Sequence, residues 1–228
     1  MEYNITGTTV PYVEMKLEKG KEVYTQGGGM CWRDQNFEMV TDTKGGLLSG
    51  LGRVIAGDSL FMNTYKATAD NAEIAFASTV PGEILDLELG ENHPGIIAQK
   101  GAFLCAEEGV QFKVALTKRF GAGLFGGEGF VLQDIFGKGR VFLEVDGNIK
   151  KKELKAGESI LIDTGNVVYF DKTCSYEIET VKGVKNKLFG GEGFFLTRIT
   201  GPGNVVMQSQ NFNEFAARLI PLLPKGNN

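Results

Sequence analysis

Along most of this chain, apolar and polar residues either alternate or gather in short apolar blocks. The segments EVYT, QFKVAL, GFVLQDI, RVFLEV, SILID, NVVYF, YEIET and FFLTRI are rich in Val, Ile, Phe and Tyr, and Gly, Asp-Gly or Pro-Gly separates them. A period of two between residues that turn the chain tightly predicts strands. Many short strands, with a turn roughly every 8–12 residues, predict an all-β sandwich or barrel-like body. Between two such segments, Asp146-Gly147 predicts a two-residue hairpin.

A helical period occurs near the end of the chain. In NFNEFAARLIPLLP, the apolar residues Phe212, Phe215, Ala216, Leu219, Ile220 and Leu223 fall on one helical face. They predict a short C-terminal helix over 212–224, with Asn211 or Asn213 as its N-cap and Pro221 ending the regular bonding. Its apolar face is expected to pack on the β body or on a partner chain, and residues 225–228 to form a flexible tail.

The pattern also repeats. LFGGEGFVLQDIFGKGRVFLEV (124–145) lies over LFGGEGFFLTRITGPGNVVMQS (188–209), with 12 of 22 positions identical. The same offset places QKGAFLCAEEGVQFKV (99–114) over DTGNVVYFDKTCSYEI (163–178) without a gap. A weaker copy stands in front: VIAGDSLFMNTY (54–65) matches LFGGEGFVLQDI, NAEIAFAS (71–78) lies near GKGRVFLEV, and EKGKEVYTQ (18–26) resembles QKGAFLCAE (99–107). Repeats of this kind predict stacked or ringed units. The expectation is three tandem β-sandwich-like repeats, 1–80, 81–146 and 147–211, related by a pseudo-threefold arrangement.

Composition changes this picture little. Thirty-two glycines among 228 residues, mixed with Val, Ile and Phe, fit tight turns rather than disorder. A net charge of −4 argues against a nucleic-acid or anionic-membrane surface, and Lys150, Lys151 and Lys152 read as a solvated strand end or turn. Cys31, Cys105 and Cys174 are odd in number and lack metal or disulfide spacing, so reduced thiols are expected. The N-terminus carries neither a basic, apolar leader nor an Arg-rich transit segment, and no apolar run approaches a membrane span. A cytoplasmic protein is the expectation.

Candidate chemistry is sparse. GAGLFG (121–126) spells a dinucleotide fingerprint, but a strand-like segment follows where a helix would have to begin. Asp58, Glu128 and Glu192 occupy equivalent places in the three copies. They either converge as a cation or small-ligand site or accept backbone hydrogen bonds within glycine turns. Phe130 and Phe194 belong to a recurring apolar stripe at the repeat junctions, as core or as a ligand groove. His93 stands alone in the loop-like ENHPG, which rules out a multi-histidine metal centre, and Trp32 reads as core or interface. No nucleophile motif is present, and neither catalytic residues nor a cofactor or metal are expected.

The motifs GLLSGLGRVIAGDSLFMNTY (46–65), GLFGGEGFVLQDIFGKGRVFLE (123–144) and LFGGEGFFLTRITGPGNVV (188–206) resemble those of the altered-inheritance-of-mitochondria protein 24 family over nearly the whole chain. That family is similar in fold to the tryptophan RNA-binding attenuation protein. The resemblance implies three such β units per chain and homo-oligomeric assembly. It carries no catalytic residues with it. The expected function is non-enzymatic, through assembly or partner binding; the alternative is a small-ligand or cation binder, or weak enzyme, using an inter-repeat cleft near the repeated acids.

Overall fold

A computed structural model describes residues 1–42, 62–118, 130–180 and 195–222. Within them the chain is built almost wholly from antiparallel strands. The first stretch forms β1 (Glu2–Thr6), β2 (Tyr12–Leu17), β3 (Glu22–Gln26), β4 (Met30–Arg33), β5 (Phe37–Asp42), β6 (Met62–Ala67) and β7 (Ala72–Ala77). Next come β8 (Gly82–Leu89), β9 (Gly95–Gln99), β10 (Phe103–Glu107), β11 (Val110–Lys118), β12 (Phe130–Gly137) and β13 (Gly139–Asp146). The last group is β14 (Ile149–Leu154), β15 (Ser159–Asp163), β16 (Val167–Asp171), β17 (Ser175–Thr180), β18 (Phe195–Thr200) and β19 (Gly203–Gln208).

These strands form four sheets among the described residues: β1-β2-β7-β4, β5-β6-β3-β10-β13-β8, β11-β12-β9-β16-β19-β14, and β15-β18-β17. One succession of pairings recurs along the chain. β4 pairs with β7, β10 with β13 and β16 with β19, each slipping by one register position at the same place. The paired positions are Met30↔Phe76 then Trp32↔Ala75, Phe103↔Leu143 then Cys105↔Phe142, and Val167↔Met207 then Tyr169↔Val206. Two further pairings join the stretches: β3 lies along β10, and β9 lies along β16.

Two sequence expectations change here. Gly147 adopts φ +74°, the left-handed geometry that a tight turn needs, but β13 and β14 enter different sheets. Asp146-Gly147 is therefore a corner rather than a hairpin, pinned by the Gly147 N–H donating to Pro81 O at 3.0 Å. The match of EKGKEVYTQ to QKGAFLCAE also fails. In the succession of pairings β4 takes the place of β10, whereas β3 takes that of β9, since both β3 and β9 run beside the next stretch. Short apolar segments of equal length are interchangeable by composition; the slip in register tells them apart.

β12 turns into β13 at Gly137-Lys138-Gly139, another sheet-to-sheet corner. Gly137 has φ +108°, and a Cβ there would stand 2.3 Å from Gly109 O. Only glycine satisfies both conditions. The alternating faces meet in three packed clusters. The central one joins Tyr24, Phe103, Ile135, Leu143 and Tyr169 from all three stretches, with Phe103 and Phe112 edge to face at 4.7 Å.

The chain ends in α1 (Phe212–Leu219) and a 3-10 turn, Ile220–Leu222. Asn211 caps α1: its Oδ1 accepts the Glu214 N–H at 3.4 Å and its carbonyl accepts the Phe215 N–H at 3.0 Å. Of the two packings expected for its apolar face, on the β body or on a partner chain, the first is not made by its large described side chains. Phe212, Phe215, Leu219 and Ile220 are exposed, and α1 is held at its N-terminus, where the Asp146 carboxylate accepts the Phe212 N–H at 2.9 Å.

Candidate functional site

Of the residues singled out from sequence, Phe130 opens β12 and is 1% exposed, in a cluster with Leu154, Ile162, Phe170 and Ile199. Asp58, Glu128, Glu192 and Phe194, and the GAGLFG string, lie outside the described residues. His93 forms a bridge with Gly90, and its Nε2 stands 3.4 Å from Asp171 Oδ1. Trp32 lies on β4, partly in solvent.

A different set of acids recurs among the described strands. Asp34, Glu107 and Asp171 stand at the ends of β4, β10 and β16. Each accepts a backbone N–H from the second residue of the strand paired with its own: Glu73 (3.0 Å), Arg140 (2.7 Å) and Asn204 (2.8 Å). These contacts fasten one strand end to its neighbour. The Asp34 carboxyl is held below its usual range chiefly by the Glu73 N–H, against a smaller effect of burial. Glu107 and Asp171 already lay opposite one another in the aligned segments, but an acid among alternating residues has no motif to mark it.

Two polar features lie among these strands, the first beside a single sheet and the second between the two six-stranded ones. Asp134, 6% exposed, takes Lys172 Nζ at 2.5 Å and Lys113 Nζ at 3.1 Å, and both ammonium groups lie over the Phe136 ring. A cleft of about 260 Å³ is lined by Gln26, Gln99, Glu144, Asp146 and Gln208 among others. Burial pushes the Glu144 and Asp146 carboxyls up. Glu144 Oε2 nonetheless receives the Thr79 N–H (2.7 Å) and the hydroxyls of Thr79 (2.9 Å) and Ser78 (3.3 Å). Its polar groups are engaged with the protein itself, as are those of Gln26 and Gln208. Among the described residues no group of three His, Cys, Asp or Glu side chains is placed to hold a metal ion, and no helix is long and apolar enough to cross a membrane.

Among the described residues eight strands end a sheet, and two of them, β4 and β15, hold places that are covered elsewhere in the chain. β10 is covered by β3, and β16 by β9, but β4 ends its sheet and so does β15. The side chains register the difference. Trp32 is 38% exposed, while Cys105 and Tyr169, at the same step of the register slip, are buried. Cys31 is exposed, and Leu104 and Val168 within the matching slips are buried. On β15, Leu161 is 44% exposed. Terminal strands elsewhere carry charge: Glu83, Asp86 and Glu88 on β8, Lys150, Lys151 and Lys152 on β14, Glu177 and Glu179 on β17. Charged side chains and short strands keep sheet edges from joining. β15 reads SILID, apolar through its centre, and β4 presents a tryptophan.

The chain is 32% identical over 226 residues to an uncharacterized protein of Streptococcus pyogenes serotype M6, covering 96% of this chain and 89% of that one. Its fold matches the crystal structure of a Streptococcus pyogenes protein with a TM-score of 0.78 at 29% identity, over 97% of this chain and 99% of the other. Residues 3–210 match the sequence pattern of the family described as mitochondrial biogenesis AIM24. With that match running from β1 past β19, the chain belongs to the mitochondrial biogenesis AIM24 family.

Proposed function

We propose that this is a non-enzymatic cytoplasmic protein that acts through homo-oligomeric assembly, built from three tandem β units in the manner of the ring-forming fold its motifs resemble. The recurring pairings β2-β7-β4, β8-β13-β10 and β14-β19-β16 support the threefold division. The observation that carries the assembly reading is the pair of sheet edges on β4 and β15, each with an exposed apolar side chain and each uncovered among the described residues where its counterparts are covered. An open edge presents a row of backbone N–H and C=O groups that another strand can satisfy. Exposed Trp32, Leu161 and the apolar side chains of α1 supply surface to bury.

The size of the effect is open to measurement. Burying one Leu side chain contributes about 1.5–3 kcal/mol, and each inter-strand hydrogen bond about 0.5–1.5 kcal/mol net. Leu161→Lys places a charge at the middle of β15, where it remains solvated in the separate chain and would have to be buried in an assembly. Association should weaken by at least about tenfold, equivalent to roughly 1.4 kcal/mol, while far-UV circular dichroism stays unchanged. Multi-angle light scattering of both proteins measures this directly. Equal masses for wild type and variant at every concentration would refute edge-mediated assembly.

A further inference from the structure

The two open edges are complementary halves of one junction that the chain already makes twice. β3 lies antiparallel along β10 with Thr25↔Cys105, Tyr24↔Ala106 and Val23↔Glu107. β9 lies along β16 with Ala98↔Tyr169, Ile97↔Phe170 and Ile96↔Asp171. In the recurring succession, β15 follows β3 and β9 as the covering strand, pairing with β18 as they pair with β6 and β12. β4 precedes β10 and β16 as the covered strand. The covering member is open at one end of the chain, and the covered member at the other.

We propose, resting on the assembly reading above, that β15 of one copy pairs antiparallel with β4 of a second copy, in the register Ile162↔Trp32, Leu161↔Arg33 and Ile160↔Asp34. The occupant is a second copy because each chain offers both halves, and its own β4 and β15 lie at the ends of separate sheets. The joined sheet would run β17-β18-β15-β4-β7-β2-β1. That is the order of the two six-stranded sheets, β5-β6-β3-β10-β13-β8 and β11-β12-β9-β16-β19-β14, with β1 added. Residue types agree with this placement. Trp32 and Leu161 are exposed here, while of their counterparts at the two internal junctions Cys105, Tyr169 and Tyr24 are buried and Ile97 is partly buried. Such a contact is heterologous, using a different surface on each copy, so it leads to a closed ring or to a filament.

The register is testable by disulfide trapping. Directly opposed residues have Cβ atoms close enough for a disulfide, whereas a slip of one residue turns the side chain to the other face. Cys31 is first replaced by Ser; Cys105 and Cys174 are buried. Arg33→Cys protein is mixed with Leu161→Cys protein under mild oxidation, at a concentration where light scattering shows assembly. The expected result is a covalent species of twice the chain mass in the mixture and in neither protein alone. Trp32→Cys mixed with Leu161→Cys should give none. Assembly without the Arg33–Leu161 cross-link, or with equal cross-linking of the control, would overturn the register and leave assembly standing. A fast-migrating single chain from the double variant, with no dimer from the mixture, would show β15 closing on its own β4 and overturn the second-copy occupant. A monomeric protein at every concentration would overturn both readings.

Discussion

At Asp34 and Glu144, two carboxylates in the same fold respond to acid in opposite directions. Backbone N–H groups hold the Asp34 carboxyl low, led by that of Glu73, so its contribution is full above the unfolded-chain pKa near 4 and is lost as pH falls through the folded value. Asp34→Ala should cost about 1.5 kcal/mol at neutral pH, the lower end for hydrogen bonds to a charged acceptor because the site is partly solvated. In chemical denaturation the deficit should narrow as the solution is acidified. A deficit that does not change with pH would place the role of Asp34 elsewhere. Glu144 has the reverse sign: burial raises its carboxyl, so its contribution is full below the unfolded pKa and is lost as pH rises through the folded value. Glu144→Gln should therefore melt above wild type at about pH 8, with the gap closing toward about pH 4.

At the level of elements, the corners between sheets decide the path of the chain. Gly137→Ala meets a positive φ and the Gly109 carbonyl together and should lower stability by about 2–4 kcal/mol in urea titration. A loss below about 0.5 kcal/mol would mean that the corner relaxes freely. The alternating segments and their glycine punctuation made β3, β11, β12, β13 and β15 to β18 legible from sequence, and the 3.6 period made α1 legible too, whereas short or charged strands such as β1, β4 and β8 carried no comparable signal. Pairing was much less legible. Asp146-Gly147 has the residues of a hairpin, yet whether flanking strands bond to each other depends on distant partners, β8 and β10 for one and β19 for the other. The strand-end acids Asp34, Glu107 and Asp171 stayed hidden for the same reason: each acts on a residue 33 to 39 positions away. Asp58, Glu128 and Glu192, marked by their glycines, lie outside the described residues.

For the whole molecule, two of the eight sheet-ending strands among the described residues, β4 and β15, hold places that are covered elsewhere in the chain, one in each terminal stretch. Charged residues line the terminal strands β8, β14 and β17, whereas β15 is apolar through its centre and β4 presents a tryptophan. Assembly through these edges would bury them without rearranging any strand that is already paired. The deciding measurement is the solution mass of the purified protein by light scattering across micromolar concentrations, beside that of Leu161→Lys. Edge-mediated assembly predicts an integer multiple of the chain mass for the wild type and a shift toward the single chain for the variant. A wild-type protein that remains a single chain throughout would contradict it.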